Sequence, residues 1–136
     1  MVLIAGLEDE PGMAEQLGQC FRTAGWEWRC LPGRPEVLGA LREFRPDVVT
    51  TGNRHPLLGG VSLLDEMKRD AELRKIPVVF VTALDREFLW ENVRKIGRDP
   101  DVDVAGYVLK PFAPAELVAE IRRVLGAAGA APGDGA

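Results

Sequence analysis

The sequence alternates apolar, strand-like runs with amphipathic helical stretches five times, and this alternation limits the possible folds more than any other feature. The first run, Val2–Leu7, is apolar throughout, as expected for a strand buried on both faces of a sheet. Apolar residues at helical spacing follow it, and Gly25 marks the end of that helix. Repeated units of this length predict an α/β fold with a single doubly wound, five-stranded parallel sheet and five helices.

The other strands are predicted from β-branched or alternating apolar residues that are bounded by turn formers. The most polar of them follows the first helix, and its polarity favours an edge position in the sheet. These strands are Trp26–Cys30, Val48–Thr51, Ile76–Val81 and a strand within Val102–Leu109.

Composition and charge limit the partners. The 136 residues carry a formal net charge of -4, and the basic residues are scattered, so the sequence does not indicate nucleic-acid binding. No apolar stretch reaches the roughly 20 residues that span a bilayer. The chain opens on a strand without a basic signal region, which predicts a cytoplasmic protein.

The cysteines and the carboxyl-terminal tail are interpreted from their surroundings. Cys20 lies on the apolar stripe of the first helix and Cys30 ends the second strand, and buried free thiols are favoured over a disulfide. We expect residues 1–125 to form the domain. Residues 126–136 lack apolar anchors and are expected to be a disordered tail or the start of a linker.

Chemically useful residues stand where the predicted strands end. Glu8 and Asp9 follow the first strand, Gly52 follows the third, Thr82 the fourth and Lys110 the fifth. In open α/β sheets, ligands bind at the carboxyl ends of the strands, near the point where the strand order reverses. We therefore expect these five residues at the carboxyl edge of the sheet, and the family resemblance given next implies that they meet in one shallow crevice.

These residues resemble the receiver domain of two-component response regulators, over roughly residues 2–125. The positions that carry the resemblance are Glu8, Asp9, Thr82, Tyr107, Lys110 and Pro111. The resemblance implies a flavodoxin-like sheet with strand order 2-1-3-4-5, and a signalling module rather than an enzyme. In this family the position of Gly52 holds the aspartate that accepts a phosphoryl group. The sequence is therefore interpreted as an atypical receiver, or pseudo-receiver, with a degenerate phosphorylation site.

The resemblance also assigns roles within the crevice. Glu8 and Asp9 would form the acidic pocket that holds Mg²⁺, Thr82 would supply a hydroxyl and Lys110 an ammonium group. Gly52 removes the nucleophile and one carboxylate ligand of the metal, so any Mg²⁺ site would be weak. The alternative, which we favour, is that no cofactor binds and that Lys110 or Arg54 neutralises the acidic residues directly.

Other expectations concern the switch positions near the crevice. The resemblance implies a cis peptide bond between Lys110 and Pro111. It also implies that the rotamer of Tyr107 reports activation together with Thr82, whereas an ordinary amphipathic tyrosine is the alternative. The only histidine, His55, is expected to be an exposed loop residue.

The segment between Thr82 and Lys110 is several residues longer than the family pattern, and the extra residues fall near 97–103. In receivers the fourth helix, fifth strand and fifth helix form a common partner and homodimer face. The insertion either alters that face or forms a solvated loop, and the loop is favoured. Trp90 is interpreted either as a partner anchor or as partly packed on the core.

The predicted function is protein–protein interaction in signal transduction, with a histidine kinase, another receiver or an output domain as partner. The alternative is a small-ligand or anion sensor that uses the vacated crevice, with Lys110 and Thr82 as donors. A redox enzyme or hydrolase is disfavoured because the sequence offers no nucleophile–base pair.

Overall fold

The computed structural model describes residues 1–33, 35–52 and 60–128, and in it five parallel strands form one sheet. The strands are β1 (Leu3–Leu7), β2 (Glu27–Cys30), β3 (Val48–Thr51), β4 (Val78–Thr82) and β5 (Gly106–Leu109). Their order across the sheet is β2-β1-β3-β4-β5, which confirms the predicted topology and its reversal between β1 and β3.

Within the described residues, six helices connect and flank the strands. They are α1 (Pro11–Thr23), α2 (Val37–Phe44), α3 (Gly60–Arg69), α4 (Arg86–Lys95), α5 (Pro100–Asp103) and α6 (Pro114–Ala127). None of these helices is long and apolar enough to cross a membrane.

Apolar side chains are buried on both faces of the sheet, because successive residues of a strand point to opposite faces. Ile4 packs with α1 and α6 on one face, whereas Ala5 packs with α2, α3 and α4 on the other. The central strands β3 and β4, which are rich in β-branched residues, are buried along their whole length. The polar strand β2 lies at an edge and is mostly exposed, also as predicted.

The register of the strands aligns the residues that follow them. Leu7 on β1 is paired with Thr51 on β3, and Thr51 is paired with Phe80 on β4. Glu8 and Gly52 are the next residues along β1 and β3, so they leave the sheet side by side. The topology thus brings the predicted crevice residues to one edge of the sheet.

The prediction of five helices was wrong, because the insertion before β5 contains a short helix. Pro100 opens α5, and the side chain of Asp99 accepts a hydrogen bond of 3.0 Å from the Asp101 N–H. The fifth strand, Gly106–Leu109, lies within the predicted range Val102–Leu109. The insertion near residues 97–103 is also not simply a solvated loop, because one of its residues, Arg98, is bound to α3.

That attachment is an ion pair between the end of the α4 segment and α3. Arg98 Nε lies 2.9 Å from Asp65 Oδ1, and Arg98 also donates to the Asp65 carbonyl at 3.4 Å. Arg69 donates to the same carboxylate. Although burial alone would raise the pKa of Asp65, the hydrogen bonds from Arg69 and Arg98 outweigh it and hold that pKa below its usual value.

One further prediction needs correction. Both cysteines are free, as predicted, but only Cys20 is buried; Cys30 is exposed because it lies on the edge strand β2. Helix α6 runs to Ala127. The predictions for Arg54, His55 and residues 129–136 fall outside the described residues.

Candidate functional site

The crevice at the carboxyl ends of β1, β3 and β5 brings Glu8, Gly52 and Lys110 together. Glu8 and Gly52 are buried, whereas Asp9 is exposed. Thr82, at the end of β4, is 3% exposed. The predicted acidic pair is therefore divided, with one carboxylate in the crevice and one in solvent.

Glu8 and Lys110 form the central ion pair of the crevice. Lys110 Nζ lies 3.1 Å from Glu8 Oε1, and the two side chains are only 11% and 1% exposed, respectively. The second carboxylate oxygen of Glu8 accepts a hydrogen bond of 3.2 Å from the Glu10 N–H. Glu10 also places Oε1 at 3.5 Å from Lys110 Nζ. The predicted direct neutralisation of Glu8 by Lys110 is thus present in the structure.

Burial governs the titration of Glu8. It raises the pKa of this carboxyl above its usual value, although the Lys110 ammonium and the Glu10 N–H oppose the shift. A buried carboxylate is costly to ionise without a partner. The charge on Glu8 therefore depends strongly on its contact with Lys110.

Gly52 lies directly beneath the Glu8 carboxylate. A Cβ atom on Gly52 would stand 2.4 Å from Glu8 Oε1 and 2.5 Å from the Val81 carbonyl oxygen. Both distances are far shorter than carbon–oxygen contact allows. The backbone N–H of Gly52 donates to the Leu7 carbonyl at 3.0 Å, which holds the chain in this position. Glu8 Oε1 therefore occupies the space beside Gly52 in which the first atom of a side chain would stand.

The residues present do not fit a Mg²⁺ site. Magnesium requires several oxygen ligands in near-octahedral geometry. Gly52 contributes no carboxylate, and Glu8 Oε1 is bonded to Lys110. Within the described residues, no three carboxylate, histidine or cysteine side chains are grouped so that they could hold a metal. The donor set favours the ion pair over the metal.

Thr82 and Tyr107 are connected through the backbone of one residue, Leu84. The Leu84 N–H donates to Thr82 Oγ1 at 3.1 Å, and the Leu84 carbonyl accepts a hydrogen bond from the Tyr107 hydroxyl. Burial raises the pKa of Tyr107 above its usual value, so the hydroxyl stays protonated as a donor. The structure thus joins the two predicted switch residues. The Lys110–Pro111 peptide bond beside them is cis, as predicted.

Trp90 packs against Tyr107, which answers the question left open by its sequence. The two rings meet edge to face with centroids 5.9 Å apart. The Arg86 guanidinium lies over both rings, 5.1 Å from the Trp90 centroid and 5.3 Å from the Tyr107 centroid. Trp90 is partly packed on the core, and its neighbour Phe88 is the exposed aromatic, at 50%.

Sequence reasoning missed two parts of the crevice. Glu10 is a second acceptor for Lys110, and its position two residues after Glu8 was the available signal. The Val81 carbonyl, which approaches Gly52, is a backbone group that side-chain patterns do not reveal.

Comparison with known proteins places this geometry in a family. The family model described as the response regulator receiver domain matches residues 2–122. The chain is 31% identical over 117 residues to the DNA-binding response regulator MtrA of Mycolicibacterium smegmatis, covering 85% of this chain and 47% of that protein. It is 28% identical over 128 residues to the phosphate regulon transcriptional regulatory protein PhoB of Pseudomonas aeruginosa, covering 94% of this chain and 52% of that protein. The chain thus spans about half the length of these relatives.

Solved structures show the same fold. The chemotaxis protein CheY4 of Vibrio cholerae superposes with a TM-score of 0.76 at 19% identity, covering 92% of this chain and 99% of that one. A sensor protein from Polaromonas gives a TM-score of 0.78 at 23% identity, covering 93% and 98%. The matched family model spans nearly the whole described sheet and its crevice. The chain therefore belongs to the response regulator receiver domain family, whose members are signalling modules rather than enzymes.

Proposed function

We propose that this chain is an atypical receiver, or pseudo-receiver, which acts in two-component signalling through protein–protein contacts and without phosphorylation of an aspartate. One observation carries the proposal: the residue at the end of β3 is Gly52, and the Glu8 carboxylate fills the volume where an acceptor side chain would stand. Phosphoryl transfer requires a nucleophile with an open line of approach. Glycine supplies no nucleophile, and Glu8 closes the approach.

The charges of the crevice support the same conclusion. A phosphoryl group in transfer is stabilised by cations that are free to meet its developing negative charge. Lys110 is instead held by two carboxylates, those of Glu8 at 3.1 Å and Glu10 at 3.5 Å. An incoming phosphate would have to displace a buried ion pair before it reached the ammonium group.

The contact face is formed by α4, β5 and α6. Leu109 on β5 is 49% exposed. Trp90 on α4 and Tyr107 on β5 meet edge to face, with Arg86 stacked over both rings. Exposed aromatic and arginine side chains are enriched at protein interfaces. The partners that fit this role are a histidine kinase, another receiver, an output domain or a second copy of the chain.

The phosphorylation part of the proposal is tested by intact mass spectrometry. The purified chain is incubated with acetyl phosphate and Mg²⁺ beside a receiver that retains its aspartate. We expect an acyl-phosphate adduct on the control receiver and none on this chain. A stable adduct on this chain would show that another residue accepts phosphate, and the pseudo-receiver interpretation would then be abandoned.

The contact part is tested by sedimentation over a range of concentrations. If a homodimer forms through the face of α4, β5 and α6, Leu109→Asp should weaken it strongly, because Leu109 is 49% exposed on β5. Val102→Asp is the matched control, because Val102 is 75% exposed but lies on α5, outside this face. Equal effects of the two substitutions would place the interface elsewhere.

The alternative function, a sensor that binds an anion in a vacated crevice, loses support from the structure. The volume beside Gly52 holds the Glu8 carboxylate, and Lys110 already has anionic partners. An anion would enter against the charges of Glu8 and Glu10. Nothing in the geometry of the described residues favours that function over protein contact.

A further inference from the structure

We propose that Glu8 takes over the place and the lysine of the missing aspartate, so that residues 8 and 52 form one coupled pair. This inference rests on the proposed function, in which Gly52 has lost the acceptor side chain. It goes further by naming Glu8 as the positioning residue that sets the state of the crevice through Lys110.

One atom, Glu8 Oε1, both occupies the space beside Gly52 and binds Lys110. Glu8 Oε1 lies 2.4 Å from the position that a Cβ on Gly52 would occupy, and 3.1 Å from Lys110 Nζ. The Glu8 carboxylate, which follows β1, therefore occupies the space that a side chain at residue 52, after β3, would need. Any side chain at residue 52 has to move Glu8 and thereby weaken its bond to Lys110.

Burial shows that this arrangement is built into the crevice. The Glu8 side chain is 1% exposed and that of Lys110 11%, so the pair is shielded from water. The other carboxylate oxygen of Glu8 accepts a hydrogen bond of 3.2 Å from the Glu10 N–H, which fixes the direction of the carboxylate. Asp9, the neighbouring acid, is exposed and makes no comparable contact among the described residues. Glu8 pairs with Lys110 and Asp9 does not, because only Glu8 is placed inside the crevice.

The obstacle above Gly52 has two components that respond differently to substitution. The Glu8 carboxylate is the end of a flexible side chain, and an aspartate at residue 8 would be one carbon–carbon bond, about 1.5 Å, shorter. The Val81 carbonyl, at 2.5 Å from the Cβ position, belongs to the backbone of β4 and cannot be shortened. Gly52→Asp alone therefore meets both obstacles, whereas the double substitution E8D/G52D meets only the backbone one.

The test compares reaction rates with acetyl phosphate and Mg²⁺, followed by intact mass, for the native chain and the variants E8D, G52D, E8D/G52D and E10D/G52D. We expect the E8D/G52D variant to form an aspartyl phosphate at least about tenfold faster than G52D, since misplacement of reacting groups by about 1 Å has effects of this size or larger. E10D/G52D is the matched control: Glu10 also contacts Lys110, but it is not among the nearest atoms to the Cβ position on Gly52, so it should react like G52D. Equal rates for G52D and E8D/G52D, whether both fast or both undetectable, would overturn the proposal.

A second measurement does not require the crevice to become reactive. In NMR spectra of the native chain at neutral pH, the Lys110 side-chain resonances should shift strongly on Glu8→Gln and only weakly on Glu10→Gln. The opposite order would show that Glu10 holds the lysine, and would overturn the proposal. An adduct on the native chain, by contrast, would overturn the proposed function itself, so the two failures are distinguishable.

Discussion

Two carboxylates of this molecule, Glu8 in the crevice and Glu120 on the outer face of α6, stand in similar surroundings. A Cβ on Gly52 would lie 2.4 Å from Glu8 Oε1, and a Cβ on Gly106 would lie 2.8 Å from Glu120 Oε2. Each carboxylate thus lies close to a glycine, Gly52 just after β3 or Gly106 at the start of β5. Each also accepts hydrogen bonds from one basic side chain and one backbone N–H.

The donors differ in detail but not in kind. Glu8 is bound by Lys110 at 3.1 Å and by a backbone N–H at 3.2 Å. Glu120 is bound by Arg123 through two nitrogen atoms, both at 2.9 Å, and by the Tyr107 N–H at 3.0 Å. The Arg123 fork is the stronger donor, because a guanidinium can bond both oxygens of a carboxylate.

The pKa values of the two carboxyls nevertheless shift in opposite directions. Burial raises the pKa of Glu8, whose side chain is 1% exposed. The hydrogen bonds from Arg123 lower the pKa of Glu120, against partial burial and with help from the Tyr107 N–H, and this side chain is 21% exposed. Two differences therefore separate the sites: the deeper burial of Glu8 raises its pKa, and the stronger Arg123 fork lowers that of Glu120.

The largest predicted difference in unfolding free energy is between variants that lack Lys110 and variants that lack Arg123. Lys110→Met leaves Glu8 buried without its ammonium partner, and breaking a buried pair in this way costs about 3–5 kcal/mol of unfolding free energy. Arg123→Met removes a half-exposed partner on the surface, for which about 1 kcal/mol or less is expected. Urea unfolding of both variants at neutral pH measures the difference.

A second arm of that experiment uses acid. The loss caused by Lys110→Met should shrink as the pH falls, because Glu8 then takes up a proton and no longer needs a counter-charge. Similar losses for the two variants at neutral pH would show that the crevice is as well solvated as the outer face.

The part of this comparison that the sequence predicts is the gathering of the residues. Apolar runs and their ends are enough to place Glu8, Gly52 and Lys110 at the carboxyl edge of a parallel sheet, whereas the strand order that brings them together was implied by the family resemblance. The sequence also predicts that Lys110 or Arg54 neutralises the acidic residues, and the structure pairs Lys110 with Glu8. These conclusions need only the positions of strand ends and charged residues, which can be read from the sequence.

Other features of the site and fold depend on three-dimensional distances, which cannot be read from the local sequence. Whether Glu8 or Asp9 enters the crevice is decided by side-chain direction at the end of β1, and only the register of β1 on β3 shows it. The exposure of Cys30 follows from the edge position of β2. The short helix α5 follows from a cap and a proline in four residues, too few to show helical periodicity.

Intermediate effects are expected from filling the two glycines. Gly52→Ala places a methyl group against the Val81 carbonyl, a rigid backbone atom, and should destabilise the fold by about 1–3 kcal/mol. Gly106→Ala meets the flexible end of Glu120 and two valine methyl groups at 3.1 and 3.2 Å, so less than about 1 kcal/mol is expected. Thermal and urea unfolding measure both.

Gly39→Ala serves as the control for the alanine itself. Nothing lies within 4 Å of the position of its Cβ in α2, and alanine should stabilise that helix by about 0.5–1 kcal/mol. If Gly52→Ala were as well tolerated as Gly39→Ala, the close approach of Glu8 and Val81 would not constrain residue 52.

Replacing Glu8 or Glu120 by glutamine should change stability only a little, but the pH dependence of the change should have opposite signs at the two sites. Because the folded-state pKa of Glu120 is lowered, its ionisation contributes stability that is present above the unfolded pKa and is lost as the pH falls through the folded pKa. Glu120→Gln should therefore cost about 1 kcal/mol at neutral pH, and the difference from the native chain should fade in acid. Because the folded-state pKa of Glu8 is raised, its protonation contributes stability that is full below the unfolded pKa and is lost as the pH rises through the folded pKa.

Relative to Glu8→Gln, the native chain should therefore gain stability on acidification, whereas relative to Glu120→Gln it should lose it. Urea unfolding from about pH 7 to about pH 4 covers the range in which glutamates titrate. Opposite slopes would show that burial controls Glu8 in solution as it does in the structure. Slopes of the same sign would mean that water reaches the crevice, and that Lys110 holds Glu8 no differently from the way Arg123 holds Glu120 on the surface.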